Sequence, residues 1–540
     1  MKHIYKLFFL SFFTSIFSFQ LKAQAPTWAQ DIAPILYANC TKCHHLGGVA
    51  PNPLITYTDA FNYRFLMRQH VDSNYMPPWP PDAKYTHLAN ERRLSDTDKD
   101  KIRNWVIGGG LQGNSALAPT PPTYTNTSTQ LSQVDYSAKM PNYMVNTAND
   151  LYRCFVINTN FLVDKFAAEV EIIPGNPSIV HHVIVFEDST ILIKQKDSAD
   201  AGAGYTSFFA TGSDQSRIVG EWVPGSAPIT FPNLMGLRLK KNTRLILQIH
   251  YPKGTFLKLD STRVNIKFAT NTASPFFREV FMAPILSATN IINPPLSIPP
   301  NVVKTFTSAN TVTTSVAVPY PFMTILSVGP HMHLLGNKMK VYALTNNTLT
   351  AANDTTPFIN IKKWDFRWQG NYSFRNPLKI ALGSTLVCES SYDNRASNLN
   401  NPNSPPQTVN AGEATTDEMH MVFFAFTYYF PGDESIIVDN GPIAGIKELQ
   451  RDIVNTLQLF NIFPNPAKSQ AQLSYFAPTN YLAKAKIINL EGKILKEWPV
   501  NMREGQGTIT MDIEGLVKGQ YFISIETKTF KKSKTFIIYE

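Results

Sequence analysis

At 540 residues, with 43% hydrophobic and 12% aromatic side chains, the chain is too long for one core and too apolar to be disordered, so three or more domains are expected. The net charge of +9 is small for this length, and the basic residues are scattered apart from a cluster at Lys531–Lys534. That leaves no concentrated basic face and excludes nucleic acid as an expected partner.

In chain order, Lys2 and Lys6 precede an apolar run, Leu7–Phe19, and Leu21-Lys-Ala23-Gln-Ala25 supplies small residues. This is the pattern of an export signal, residues 1–23, cleaved after Ala23. The run is short for a membrane anchor, which is the alternative, and no other stretch qualifies as a span. The mature chain is therefore expected without a transmembrane segment, passing through the periplasm to be secreted or held at the outer surface.

Residues 26–115 are expected to be helical. Trp28–Asn39 spaces its apolar residues for a helix, and Ser95-Asp-Thr-Asp98 opens another that runs to Trp105–Ile107 and stops at Gly108-Gly-Gly110. Between them stands Cys40-Thr-Lys-Cys43-His44. Two thiols two residues apart can bond both vinyl groups of one haem, and the adjacent histidine can reach its iron. A redox C-x-x-C is the alternative, but it belongs in a βαβ setting. For the second axial ligand the candidate is Met76 in Met76-Pro-Pro-Trp-Pro80, with His45, His70 and His87 as rivals, unless Met76 merely packs. Residues 26–115 resemble the small haem domains of bacterial cytochromes c, which implies one covalent c-type haem held by Cys40, Cys43, His44 and Met76.

Residues 116–144, richest in Pro, Thr and Asn over Ala116–Gln130, are expected to be a linker. From 145 to 450 the pattern turns to alternation, with strands expected at Thr243–Tyr251, Arg263–Ala269, Thr324–His333, Lys338–Ala343 and Met421–Tyr429. Helix signals are scarce there. Two all-β sandwiches are expected, 145–290 and 291–450, with the proline-rich Asn293–Pro300 near the junction. Residues 458–540, opened by Asn461-Ile-Phe-Pro-Asn-Pro466, form a further small β-sandwich. The expected fold class is thus multidomain: a small all-α unit, two jelly-roll-like sandwiches and a small β unit.

Six histidines fall between 140 and 450: His181, His182, His250, His331, His333 and His420. On a strand His331 and His333 share one face and make a chelating pair. His181 and His182 would point apart on a regular strand and share a metal only where the chain is twisted. Scattered core or surface histidines are the bland alternative for each taken alone. Cys154 and Cys388 are left over, and the sequence leaves open whether they pair.

In order along the chain come Val180-His181-His182-Val183, Leu247-Gln248-Ile249-His250-Tyr251, His331-Met-His333-Leu-Leu-Gly336 and Asp417-Glu418-Met419. These resemble the H-H, Q-x-H-Y, H-x-H-x-L-G and D-E-M elements of the copper type II, ascorbate-dependent monooxygenases, the peptidylglycine α-hydroxylating and dopamine β-monooxygenase family. The resemblance implies two copper ions, one on His181, His182 and His250 for electron transfer, the other on His331, His333 and Met419 where oxygen reacts. A thioether beside imidazoles suits Cu(I) and argues against zinc. In the family a cysteine follows the ligand methionine and pairs with an upstream cysteine that Cys388 matches. Here that position is His420, expected to be structural, with an extra ligand as the alternative.

The implied activity is hydroxylation of a substrate C–H by O2, with one oxygen atom going to water and two electrons arriving singly from the fused haem or from an external reductant such as ascorbate. The peptide-amidating branch grips a glycine carboxylate with Arg, Asn and Tyr where this chain has Gly329, Met421 and Phe423. A neutral or apolar small molecule is therefore the expected substrate. The rival class is a non-catalytic surface protein that binds copper and haem for scavenging or respiration; an oxygen- or peroxide-using enzyme that hydroxylates nothing is a third. Finally, Phe463-Pro-Asn-Pro466, Ile487-Ile-Asn-Leu-Glu-Gly-Lys493, and Leu516-Val-Lys-Gly-Gln-Tyr521 before Ile523-Ser-Ile525 resemble the type A sorting domain of the type IX secretion system of Bacteroidetes. That machinery is the implied partner of residues 458–540, and an ordinary β-sandwich binding module is the alternative.

Overall fold

The structure is a computed structural model that describes residues 25–439 and 457–539, apart from 125–128, 208–209, 315–317, 347–352, 478, 504 and 528–530. The expected export signal lies outside the described residues. The molecule is mostly β-sheet, and none of its described helices is long and apolar enough to cross a membrane.

Residues 25–115 hold the α-helices Ala33–Asn39, Tyr57–Asp72 and Asp96–Ile107, the first continuing from a π-turn at Trp28–Ile32. Ser95 caps the last helix by accepting the Asp98 N–H, two aspartates sit in its first turn, and it ends at Gly108. The middle helix, not singled out in the sequence, carries its own start signal in the reciprocal cap of Thr56 and Asp59. Trp28, Leu36, Ile102 and Trp105 pack between them as a separate core.

The first sandwich pairs Tyr205–Thr206, Leu151–Asn158, Arg244–Tyr251, His182–Asp188 and Arg217–Trp222, in that order. Central Arg244–Tyr251 is buried along nearly its whole length. Leu245, Leu247, Ile249 and Tyr251 face the inter-sheet core, and Ile246 joins Cys154 and Phe186 on the outer face. Ile193 of the short helix Ile191–Ala199 covers that outer cluster. Burial on both faces explains why Leu245, Ile246 and Leu247 are all apolar where a half-exposed strand would alternate.

The second sandwich packs Val303–Thr311, Thr385–Asp393, Gly336–Asn346 and Asn353–Ile361 against Arg278–Ser287, Met421–Tyr428, Phe322–His331 and Tyr372–Ala381. Arg278–Ser287 serves both sandwiches. Its start pairs parallel with Met235–Leu237, and its remainder pairs antiparallel with Met421–Phe426. One nine-stranded sheet therefore runs through both halves, and backbone hydrogen bonds set their relative position. Cys154 and Cys388 lie in separate cores, each unpaired.

The stretch expected as a linker is built into the fold. Tyr136–Lys139 forms an edge strand, and Thr129 Oγ1 and the Gln130 N–H both donate to the Glu171 carboxylate. Tyr124 stacks on His45 at 4.3 Å. The helical unit is docked as well. Pro81 and Leu88 bridge to Ile361 and Phe374, and Leu88 is buried in the second sandwich's core. The Asp82 and Ala89 N–H groups donate to the Asn360 and Ser373 carbonyls, each at 2.8 Å.

The tail forms two further sheets around its own core. Gln458–Phe463, Gln470–Ala477 and Gly505–Asp512 make one, and Ile494–Met502, Tyr481–Ile488, Gly519–Glu526 and Lys531–Ile538 make the other.

Candidate metal centres

Register brings the first histidine cluster together. His250, near the end of its strand, lies opposite His182 on one side and Tyr152 on the other. The Tyr152 ring stacks on His250 at 4.3 Å. His181 precedes the strand that begins at His182, so strand alternation does not bind it, and its N–H donates to the His250 carbonyl at 2.9 Å. The outcome is three imidazoles whose ligand atoms all lie within 4.8 Å of one another. His181 Nδ1 and His182 Nδ1 are 3.1 Å apart, close to the roughly 3.3 Å between two nitrogens on one tetrahedral ion. His250 is 1% exposed, and neither of its ring nitrogens has a hydrogen-bond partner. Buried orphan nitrogens facing two other imidazoles fit a metal ion. Asp150 Oδ1 stands 3.9 Å from His250 Nε2 and is tied to the other sandwich through Thr415.

The second cluster forms at the end of Phe322–His331. The strand stops at His331, Met332 turns into the core, and His333 comes back to the cavity side. The two rings are 5.1 Å apart. His331 Nδ1–H donates to Gln369 Oε1, whose amide is oriented by donating to the Phe366 carbonyl. His333 Nδ1–H donates to the Asp417 carbonyl at 3.1 Å. Both rings thus present Nε2 as the free donor, the usual way outer partners set a ligand tautomer. Met419 lines the same cavity. Two imidazoles and a thioether fit copper better than zinc.

Glu418, adjacent to Met419, is fully buried and accepts the N–H groups of His333, Leu335 and Met419 at 2.9, 2.6 and 3.1 Å. It clamps the turn carrying His333, a role that neighbouring residue types could not reveal. Phe366 stands between the two clusters, stacked on His181 at 4.8 Å and edge-on to His333 at 5.8 Å. His420 is turned away from the cavity. Its Nδ1 meets Ser390 Oγ and its Nε2 meets Ser308 Oγ, both at 2.6 Å. With both nitrogens used, it is a core cross-brace.

Burial first, and then neighbouring imidazoles, hold these rings neutral. His181 and His331 are pushed down to about 3, His333 to about 4, and His420 to about 4 by burial alone. Because the folded values lie below the unfolded one, stability is full above about pH 6.5 and is lost as pH falls toward 4. Each such group costs about 1.4 kcal/mol per pH unit in that window. The urea midpoint of the metal-free sandwiches is expected to fall steeply between pH 7 and 4.5. A flat profile there would contradict the buried neutral histidines.

In the helical unit, Cys40 and Cys43 are unpaired and half-buried, and His44 Nδ1–H donates to the Asn52 carbonyl at 2.7 Å, leaving Nε2 free. Burial holds His44 below the usual imidazole range, and the nearby His70 pushes it the same way. The Met76 N–H donates to the His70 carbonyl at 3.1 Å, so these two of the four axial candidates share one turn. Free thiols two residues apart and an oriented imidazole fit a covalently attached haem. This unit rests on the copper-candidate region. The Arg367 guanidinium lies 5.7 Å from the Tyr75 ring centroid, Trp79 meets Tyr372 at 5.3 Å, and Arg92 donates to the Gly225 carbonyl.

Two imidazole clusters on a pair of β-sandwiches, joined by a cavity that His182, His331 and His333 line, have the make-up of a two-centre metalloprotein. The comparisons agree. Residues 136–256 match the copper type II ascorbate-dependent monooxygenase N-terminal domain, and residues 281–440 match the C-terminal domain of the same family. Together these cover just over half of the chain, which belongs to the copper type II ascorbate-dependent monooxygenases and is an oxidoreductase; the family implies two copper ions. Residues 461–539 match a secretion system C-terminal sorting domain, the type IX tail that marks the chain for export to the medium or the cell surface.

No curated protein matches the sequence. Among solved structures, a Faecalibacterium prausnitzii β-glucuronidase is 12% identical over 44% of this chain and 37% of its own, at a TM-score of 0.13. The adhesin domain of Epf from Streptococcus pyogenes is 14% identical over 44% and 73%, at 0.13. Dimeric latent PorU from Porphyromonas gingivalis is 10% identical over 72% and 34%, at 0.14. At such scores these likenesses carry no argument.

Proposed function

We propose that this chain is a secreted copper monooxygenase that hydroxylates a C–H bond of a small, non-anionic substrate with O2, its electrons entering from the docked N-terminal unit or from an external reductant such as ascorbate. The observation that carries the proposal is a cavity of about 630 Å³ lined by His182 from one cluster and by His331, His333 and Met419 from the other. His181, His182 and His250 would hold the electron-transfer copper, and His331, His333 and Met419 the copper beside the substrate. Copper supplies one-electron redox chemistry and oxygen activation, and a haem on Cys40, Cys43 and His44, with Met76 as second axial ligand, supplies a one-electron store.

The chain's own part is positional. Gln369 and the Asp417 carbonyl aim Nε2 of His331 and His333, Glu418 clamps the turn that carries His333, and Phe281, Phe423 and Phe426 give the cavity an apolar wall for a substrate's hydrocarbon part. Arg217 is a basic side chain on the cavity wall, and it is bound to Glu187 and Glu279. Gly329, Met421 and Phe423 leave a substrate carboxylate unpaired.

The deciding experiment combines copper and haem quantification with labelled O2 and a substrate screen. One labelled oxygen atom is expected in the product, and glycine-extended peptides are expected to be poor substrates. Reduction of oxygen without labelled product would favour the non-hydroxylating enzyme, and no reductant-dependent oxygen use at all would favour the non-catalytic reading. Deleting residues 458–540 is expected to leave the chain in the periplasm, and unchanged surface export of the truncated form would overturn the sorting role.

A further inference from the structure

A carboxylate stands beside the first cluster that metal binding alone does not require. Asp150 immediately precedes the strand Leu151–Asn158, and its Oδ1 is 3.9 Å from His250 Nε2. Among the described residues it is the only carboxylate within ion-pair distance of His181, His182 or His250. It is outside the group of three imidazoles whose ligand atoms lie within 4.8 Å of one another, so its place is beside an ion there rather than on it. Two donors hold it from opposite sandwiches. Oδ1 accepts the Lys253 N–H at 2.8 Å, and Oδ2 accepts the Thr415 hydroxyl at 2.6 Å. Such donors favour the charged form of a carboxylate. Thr415 is two residues before Asp417, whose carbonyl orients His333, so one turn serves both clusters. At the second cluster the nearby carboxyl is Glu418, and its oxygens are turned to the N–H groups of His333, Leu335 and Met419.

Three neutral imidazoles leave the charge of a bound copper uncompensated. A fixed carboxylate next to them stabilises Cu(II) more than Cu(I), by the interaction of one further unit of charge. We infer that Asp150, positioned by Thr415 and Lys253, sets the potential of the first centre and lowers it relative to the second. The electron then passes onward: the first copper goes from Cu(I) to Cu(II), and the second centre gains the electron it loses. The inference rests on the proposed copper at His181, His182 and His250.

The test is an EPR-monitored redox titration of the full mature chain loaded with two coppers, repeated on His333→Ala to assign the signal of the first centre. Asp150→Asn keeps the shape and removes the charge. It is expected to hold both coppers and to move the first centre's equilibrium about tenfold toward Cu(I), about 59 mV for one electron. The side chain is 33% exposed, so solvent screening keeps the effect near that size rather than at the full Coulomb value. Asp150→Glu is expected to return most of the shift, which separates charge from folding. An unchanged potential in Asp150→Asn would overturn the inference, as would an Asp150→Glu chain that shifts just as far. Loss of a copper from Asp150→Asn would also overturn it, by making Asp150 a ligand. An unmodified chain that leaves the first cluster without copper would overturn the copper reading itself, and this inference with it.

Discussion

Replacing His333 by alanine is expected to lower copper from two ions per chain to one and to abolish reductant-dependent oxygen use above background, a loss on the order of 10³-fold or more. The ring is buried, its Nδ1 is committed to the Asp417 carbonyl, and its Nε2 is aimed at the cavity shared with His331 and Met419. Without it only one imidazole and a weak thioether remain at that site. The first cluster is built from other strands and should keep its ion. His420→Ala is the matched control, since its nitrogens are taken by Ser308 and Ser390. It is expected to retain two coppers while losing roughly 2 kcal/mol of stability from the void and the stranded hydroxyls. Copper analysis and urea unfolding read the two effects separately. A His333→Ala chain that still holds two ions, or a His420→Ala chain that holds one, would mean that the ligand set is misassigned.

The second large effect concerns electron entry. In stopped flow, the pre-reduced N-terminal unit is expected to be reoxidised by the copper-loaded sandwiches without a mediator, at a rate independent of protein concentration. His250→Ala is expected to slow that phase severely. A linker over 116–144 would make the unit a tethered donor at raised effective concentration; in the structure the unit is docked. Leu88 is buried in the second sandwich's core, and Tyr75 and Trp79 reach Arg367 and Tyr372. Those two lie within a few residues of Phe366, which touches both histidine clusters, and of Gln369, which orients His331. Leu88→Asp, which puts a charge in that core, is expected to undock the unit and make the phase slow and concentration-dependent. If the N-terminal unit stays reduced while the sandwiches stay oxidised, an external donor must take its place.

Local pattern in the sequence determined much of this protein. Apolar alternation marked Arg263–Phe268, Phe322–His331 and Met421–Tyr428 to within a few residues, because side-chain period decides which face is buried. The cap at Ser95 and the stop at Gly108 marked a helix, because its end groups must be satisfied nearby. The pairs His181-His182 and His331-Met-His333 were legible because their spacing is short-range, His250 only through the family resemblance of its strand, and the sorting tail because its motifs are contiguous. The reciprocal cap of Thr56 and Asp59 is a local signal of the same kind.

Only the tertiary structure decided the rest, since it depends on strand order and register, which local pattern does not encode. His181 joins His182 and His250 because the chain enters its strand one residue late and the neighbouring strand places His250 opposite. The strand Arg278–Ser287 welds the sandwiches into one sheet, across what the prolines had marked as a junction. His420 is a brace because two serines from distant strands meet its nitrogens. Glu418 and Phe366 acquired their places from contacts with residues 85 and 185 positions away, where the identity of a side chain says nothing until its neighbours are known.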